Sequence, residues 1–565
     1  MRILLLAHAF NSLTQRLWLE LEADGHELSL EYDINDAVTR QAVAMARPDV
    51  IIAPFLKRAI PDDIWRALPC LIVHPGPLGD KGPSALDWAV QDTRATWGVT
   101  VLQAVAEMDA GPVWGMATFP MRAAPKASIY RREVTDGAVC AVRQALDRIA
   151  SGLGPLQRRN TGPEGAKPVL KQADRRIDWA AMTSEDILAR VRASDGQPGL
   201  RDDIDGVPVW LHDAWPCDTA RGAPGAILGQ KNEAILRATA DGAVWIGHLS
   251  VTLDGKRRLK LPATRALDLL GLPNPAPTDA MGAPNGVITT RYGDVAVIRF
   301  PFLNGALSVT RARALRAAII EATQSDAKAI LLMGGPEFWS NGIDLATIEA
   351  AASAAEESLA AINAIDDVCL AMLQATDKWV VAGMQGNAGA GGVFMALAAD
   401  QVIARDGVVL SPHYKNMGNL FGSEYWTYLL PKRLGQDGAD ALMQTRMPLL
   451  ARSAADIGLV DGVRAGTPPA FEAGLIAVVQ SQCDCPSFAD ALAAKAGLRT
   501  LDELERPLQS YRDAELDRMR LNFFGFDTSY HVARLNFITA VPKSRTPLHL
   551  ARHRSRAGTG AQRRA

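Results

Sequence analysis

The chain has 565 residues, 48% hydrophobic and 22% charged, with 60 basic against 62 acidic side chains. Its length predicts three or four domains, each able to bury a core, and its balanced charge excludes a global field that would recruit nucleic acid or an anionic membrane. Six scattered cysteines fit neither a disulfide framework nor a zinc site, which predicts a reducing, cytoplasmic setting and no metal. The apolar start of "MRILLLAHAF" is short for a secretory signal, and no run approaches the ~18 apolar residues of a membrane span.

Short apolar runs alternate with helix-like segments through the first 150 residues: "RILLLA", "HELSLEY", "DVIIAPF", "CLIVH" and "WGVTVLQAV". This alternation predicts a parallel sheet covered by helices, with ligands bound beyond the carboxyl ends of its strands. Residues 8–16, "HAFNSLTQR", and His74 fall at such ends. The stretch "GLGPLQRRNTGPEGAKPVL" (152–170) reads as a linker. Beyond it, "RRIDWAAMTSEDILARVRASDGQPG" and the pieces "VPVWLHD", "AILRAT" and "GAVWIGHLSV" predict a small, mostly β domain ending near residue 270. "GLPNPAPTDAMGAPNG", 271–286, marks a clear boundary. The pattern then resets as strand "VAVIRF", helix "SVTRARALRAAIIEA", strand "AKAILLMGG", a long Ala-rich helix, strand "KWVVAGMQG" and a Gly-rich turn. After about residue 465 apolar residues recur at helical spacing, and the basic end "ARHRSRAGTGAQRRA" reads as a disordered terminus.

Chemistry concentrates first at "VHPGPLGDKGPSALDWA", 73–89, where His74 ends an apolar run and enters a rigid Pro/Gly loop. Asp109 occupies a turn between two apolar strands in "WGVTVLQAVAEMDAGPVWG". A hairpin aspartate is ordinarily a turn former, and a lone histidine ordinarily structural; together with the rigid loop they also suit an acid/base pair at one sheet edge. These residues resemble the folate-dependent formyltransferase family, such as methionyl-tRNA formyltransferase. Residues 172–270 resemble its C-terminal domain, especially in "RIDWAAMTSEDILARVRA". The resemblance implies a Rossmann-like domain over 1–155, a small β-rich, OB-like domain over 172–270, and 10-formyltetrahydrofolate as formyl donor. It also implies that His74 stabilises a tetrahedral oxyanion while Asp109 orients the imidazole and manages the proton reaching the departing folate nitrogen. One departure is Ile72, which replaces the family's asparagine two residues before the histidine. Losing such an oxyanion donor costs about 10² to 10³ in rate. A backbone N–H, the incoming acceptor, or a better nucleophile such as a thiol would make up the loss.

The second concentration is the pair "PEFWSNGIDL" and "GMQGNAGAGGVFMALAAD", each following an apolar strand. Glycines there let backbone N–H groups approach a ligand, although two tight turns would look the same. The spacing does not match a dinucleotide fingerprint. The pair resembles the crotonase (enoyl-CoA hydratase/isomerase) family over 287–470, which implies an α/β spiral domain. The resemblance implies an oxyanion hole for a thioester carbonyl from the N–H groups of Ile343 and Gly391, with Asp344 bonding within its own turn. The family's two hydratase glutamates align with Phe394 and His413, so CoA binding is expected without the usual hydration. In their place stands "LSPHYKNMGNLFGSEYWTYLLPKRLG", with His413, Tyr414, Lys415 and Glu424. A carboxylate beside aromatic surface has a raised pKa and can exchange protons, while Tyr425, Trp426 and Tyr428 also suit a packed core.

The whole fusion, with 471–565 as a helical extension and basic tail, resembles the HypX/HoxX family of hydrogenase maturation factors. That resemblance implies formyl transfer from 10-formyltetrahydrofolate to coenzyme A at His74 and Asp109. Decarbonylation of formyl-CoA would follow at Ile343 and Gly391, supplying CO to the [NiFe]-hydrogenase site. Glu424 would take the proton, Tyr414 would position or relay it, and His413 stands in reserve. Small-molecule substrates, other hydrogenase maturation proteins as partners, and an internal channel for a pantetheine arm are further expectations. Asn11, Gln15, Arg16, Arg131, Ser194 and Asn304 are candidates for CoA contacts, each otherwise an ordinary solvated side chain. Two other readings stay open: formyl transfer to an amine on a sugar or tRNA beside a separate acyl-CoA activity, and a maturation chaperone that binds ligands without catalysis.

Overall fold

The Leu-, Ile- and Val-rich runs near the start are too short for buried helices and form strands shielded on both faces. The computed structural model describes residues 1–555 other than 254 and 256. In it these runs become β1 (Arg2–Ala7), β2 (Glu27–Tyr32), β3 (Val50–Phe55), β4 (Cys70–His74), β5 (Thr96–Gln103) and β6 (Val113–Pro120). They lie in the order β2-β1-β3-β4-β5-β6. Strands β1 to β4 are parallel, as the alternation predicts. The sheet as a whole is mixed, because β5 runs antiparallel to both β4 and β6. The connection from β5 to β6 is a loop without a crossover helix, which permits only the antiparallel arrangement. The reversal sets Thr100 opposite His74 in register.

Two segments read from the sequence as loose are held. Residues 152–170 are not a free linker: Gln157 bridges to Val113, Ala166 bridges to Lys81, and Asn160 is 1% exposed. The basic end is likewise ordered as far as residue 555, while 556–565 lie outside the described residues. The Leu30 N–H donates to the Leu550 carbonyl at 2.9 Å, and the Tyr32 N–H to Thr546 Oγ1 at 2.8 Å. Buried His553 sits 2.5 Å from Ser29 Oγ and 3.1 Å from Glu31 Oε2, with Arg554 2.7 Å from the same carboxylate. The physical reason is that β2 is an edge strand with unpaired backbone groups and a buried glutamate, and this segment satisfies both.

The chain divides into two compact units. One comprises Met1–Leu228, Leu236–Ile246 and the segment from Pro542; the other comprises Gly229–Ile235 and Gly247–Val541. The β-like pieces from Leu200 to Pro262 belong to a six-stranded sheet. In the second unit another six-stranded sheet runs in the order Ile288–Tyr292, Val295–Phe300, Ala329–Gly334, Trp379–Met384, Gln401–Arg405, Gly462–Arg464. Every pairing except the first is parallel. Ala296 and Ile298 pack toward helices Val309–Gln324 and Ala354–Gln374, whereas Val295 and Val297 pack toward Phe471 and Leu475 of helix Pro468–Cys483. That is the period-two alternation of a strand covered on both sides. Four short strands, Phe338–Ser340, Asn387–Gly389, Val409–Ser411 and Leu449–Leu450, make a separate small sheet. Helices Phe488–Glu505, Leu508–Phe524 and Ser529–Ile538 follow. Among the described residues no helix is long and apolar enough to cross a membrane.

Deleting residues 542–565 is expected to expose β2 selectively. Hydrogen exchange should accelerate at the Leu30 and Tyr32 amides while those of Leu4 and Leu5 in β1 stay protected; equal protection of β2 in both proteins would contradict the edge-sealing role.

Candidate active sites

His74 closes β4 and is 5% exposed. Its Nε2 lies 2.7 Å from Asp80 Oδ2, while its Nδ1 is 3.7 Å from Asp109 Oδ2. The structure therefore brings His74 and Asp109 together, but the carboxylate hydrogen-bonded to the imidazole is Asp80, not Asp109. The loop can fold this tightly because residue 76 is glycine: a Cβ there would stand 2.3 Å from Asp80 Oδ2 and 2.5 Å from His74 Nε2. Asp109 has φ +53°, and its Oδ2 accepts from the Gly82 N–H at 3.1 Å.

Asn160, from the supposed linker, ties these pieces together. Its Oδ1 accepts from the Gly79 N–H at 2.6 Å, and its Nδ2 donates to the carbonyls of Asp80 at 3.0 Å and Asp109 at 2.9 Å. Ile72 packs against the apolar cluster that contains Leu4, Ile51 and Ala53, so its side chain serves the core.

In the second unit, strand Gly342–Ile343 lies beside the start of helix Gly391–Leu397: a Cβ on Gly342 would be 3.5 Å from the Gly391 nitrogen. A Cβ on Gly391 would in turn stand 2.0 Å from Glu424 Oε1, so the backbone at the expected oxyanion hole and the Glu424 carboxylate are immediate neighbours. The other carboxylate oxygen, Oε2, accepts from the Tyr414 hydroxyl at 2.5 Å and the Ser423 N–H at 3.2 Å. Phe394 stacks on Tyr414 with centroids 5.3 Å apart, making the position of the missing glutamate one wall of an aromatic site. His413 is buried nearby in sequence. Asp344 caps helix Leu345–Glu349, accepting from the N–H groups of Ala346 and Thr347, both at 3.1 Å. Tyr425 and Tyr428 are core residues with Trp426 packed against them.

Glu424 is clustered with two other buried carboxylates, Asp366 and Glu515. Asp366 accepts from the Glu424 N–H at 2.8 Å and from the Ser423 hydroxyl at 2.8 Å; Glu515 accepts from the Tyr425 N–H at 3.0 Å and the Thr427 N–H at 2.8 Å. Arg512 places its Nε 3.7 Å from Asp366 and bonds Asp367 at 2.7 Å. Burial, reinforced by the Asp366 charge and opposed by the Tyr414 and Ser423 hydrogen bonds, pushes Glu424 up to about 8. Burial pushes Asp366 to about 6 despite Arg512, and Glu515 to about 8 despite its Thr427 hydrogen bond. Burial and then the Glu424 charge push Tyr414 well above its usual range. With Glu424 and Glu515 both pushed up to about 8 by burial, the cluster holds an exchangeable proton at neutral pH.

The candidate CoA contacts have local duties. Asn11 caps helix Ser12–Ala23 through Thr14, Gln15 donates to the Phe10 carbonyl at 2.9 Å, and Arg16 pairs with Glu20 at 2.7 Å. Arg131 lies in the π-helical segment Tyr130–Val134. Ser194 is fully buried and accepts from Arg175 at 3.0 Å; in the second unit, the Asn304 carbonyl accepts from Asn341 at 2.8 Å.

Sequence reasoning missed Asp80, Asn160, Asp366, Arg512 and Glu515. Three carried a readable signal. Asp366 falls on the stripe Ile362, Ile365, Cys369, Met372, and Arg512 and Glu515 fall on the stripe Leu508, Leu516, Met519, Phe523. A charged residue on the apolar face of a helix needs a buried partner.

The enoyl-CoA hydratase/isomerase family matches residues 290–516, and the formyl transferase C-terminal domain family matches 169–264. The methionyl-tRNA formyltransferase of Thermotoga maritima is 23% identical over 242 residues, 42% of this chain and 76% of that protein. Hydrogenase maturation factor HoxX of Bradyrhizobium diazoefficiens is 50% identical over 562 residues, 99% of this chain and 98% of that protein. The crystal structure of HypX from Aquifex aeolicus in complex with tetrahydrofolic acid superposes with a TM-score of 0.94 at 45% identity, covering 98% of this chain and 99% of that one. With formyltransferase and crotonase-like domains joined along nearly its full length, the chain belongs to the HypX/HoxX family of hydrogenase maturation factors.

Proposed function

We propose that the protein moves a formyl group from 10-formyltetrahydrofolate to the thiol of coenzyme A at His74 and Asp109, and then cleaves formyl-CoA to CO and CoA at Glu424, supplying CO to the [NiFe]-hydrogenase site. The observation that carries the reading is Glu424: a buried carboxylate with one oxygen beside Gly391 and the other on Tyr414, in a crotonase-like domain whose hydratase positions hold Phe394 and His413. The tetrahydrofolate complex of the Aquifex relative supports a folate substrate at the first site.

In the second reaction the backbone N–H groups of Ile343 and Gly391 polarise the thioester oxygen. Glu424 takes the formyl proton, whose C–H electron pair remains on carbon. The C–S bond breaks with its electrons on sulfur, leaving CO, and Glu424 returns its proton to the thiolate to give CoA. A carboxyl pushed up to about 8 is nearly matched to a thiol of about 8.5, so this proton moves from carbon to sulfur without a deep trap on the way. Tyr414 holds the carboxylate in line. Arg16 and Arg131 are the cations we assign to CoA phosphates.

Carbon-13-labelled 10-formyltetrahydrofolate supplied with CoA should yield labelled CO, trapped on ferrous haem. A formylated amine without CO, or intact binding of both ligands with no turnover, would replace the reading by the amine or chaperone alternative. His74→Ala should abolish formyl-CoA formation yet convert supplied formyl-CoA normally; Glu424→Gln should accumulate formyl-CoA and slow CO release by about 10² or more.

The base form of Glu424 does the work, so CO release from formyl-CoA should fall as pH drops below about 8. Asp366→Asn removes a charge that opposes ionisation of Glu424, so the profile should move to lower pH. A shift to higher pH would overturn this account of the cluster.

A further inference from the structure

Asp80 is fully buried, yet only one of its carboxylate oxygens is engaged among the described residues: Oδ2 meets His74 Nε2 at 2.7 Å, while Oδ1 has no hydrogen-bond partner there. A carboxylate buried at such cost is ordinarily saturated with donors. Here its side-chain bonding is directed at one imidazole nitrogen. The arrangement is built rather than incidental. Gly76 removes the Cβ that would collide with both partners, and Asn160 grips the Asp80 carbonyl at 3.0 Å, fixing the backbone from which the carboxylate projects. The ionisable groups facing the ring are Asp80 on Nε2 and Asp109 on Nδ1.

A carboxylate accepts and does not donate, so Nε2 carries the hydrogen and the lone pair of the neutral ring falls on Nδ1. On that side Asp109 stands off at 3.7 Å, beyond hydrogen-bond distance, and its Oδ2 is already engaged by the Gly82 N–H. We propose that Asp80 is a positioning residue that fixes the His74 tautomer, making Nδ1 the base that activates the CoA thiol. This rests on the thiol-formylation reading above.

The step balances. The S–H bond breaks with its proton on Nδ1, and sulfur bonds to the formyl carbon while the carbonyl π pair moves to oxygen. The carbonyl then re-forms, the C–N bond to folate breaks with its electrons on nitrogen, and the Nδ1 proton passes to that nitrogen. The arrangement is an orienting carboxylate, a histidine base and a nucleophile in which the nucleophile belongs to the substrate. With Nε2–H on Asp80 and the lone pair on Nδ1, the neutral ring offers the oxyanion no N–H, so His74 acts on the thiol in place of the oxyanion role that the formyltransferase resemblance implies.

Asp80→Asn in the full-length protein keeps the shape of the side chain. Formyl-CoA formation should lose about 10² to 10⁴ in kcat with little change in KM for CoA. The deficit should shrink as pH approaches the ~8.5 of a free thiol, where the nucleophile ionises unaided. Retention of tetrahydrofolate binding by the variant checks that the site is folded. Independently of turnover, nitrogen-15 spectra of histidine-labelled protein, with His74 assigned by its loss in His74→Ala, should show hydrogen on Nε2 in the parent and a mixed tautomer in Asp80→Asn. Parental kcat, or a deficit equal at pH 6.5 and pH 9, would overturn the proposal. So would hydrogen on Nδ1 in the parent, or an unchanged tautomer in the variant. If the parent forms no formyl-CoA, the thiol-formylation reading itself fails, and the spectra still decide whether Asp80 sets the tautomer.

Discussion

A charged side chain taken out of water must be answered from within the chain, and both candidate sites are organised around that requirement. At the first, the Asp80 carboxylate is answered by an imidazole, and Asn160 satisfies three backbone groups around the pair. At the second, Asp366, Glu424 and Glu515 are answered largely by backbone N–H groups, with one guanidinium beside Asp366. At the first site the compensation leaves one carboxylate oxygen without a partner among the described residues. At the second it is incomplete in charge, which is why protons are held there that would be lost in water.

The same groups hold the backbone in unusual conformations. Asp109, Ala390, Glu424 and Tyr425 are non-glycine residues with positive φ, each costing about 1–3 kcal/mol where the surroundings do not impose it. At Glu424 and Tyr425 the surroundings do impose it: their two N–H groups donate to Asp366 and Glu515, carboxylates from two different helices. The strained turn and the buried acids depend on one another. Each acid takes one of its donors from the left-handed turn, and the turn is braced by both acids.

What could be read from the chain without its structure follows from this. His74 and Glu424 stand in segments whose local chemistry is conspicuous, a Pro/Gly loop after a strand and a glycine-interrupted aromatic run, and both lie in the buried clusters described above. The alternation of strands and helices was sufficient for the α/β character but not for the reversal of β5, which depends on how a connection packs rather than on periodicity. Asp80 lay within the conspicuous motif yet was overshadowed by Asp109, since sequence gives no measure of which carboxylate meets the ring. Asn160 was illegible: among prolines, glycines and arginines an asparagine looks solvated, and only the folded chain reveals that its amide knits three segments.

The sealing of β2 has a consequence in time. Leu550 and His553 complete an edge whose partner Ser29 precedes them by 521 and 524 residues. At ~5–20 residues per second, the ribosome needs roughly 25 to 100 s to span that gap. For that interval the nascent first unit carries an open strand edge and an acidic Glu31 with neither His553 nor Arg554 beside it. The sheet that carries His74 is therefore finished only after nearly all of the second unit has been synthesised, which couples completion of the first unit to the emergence of the second.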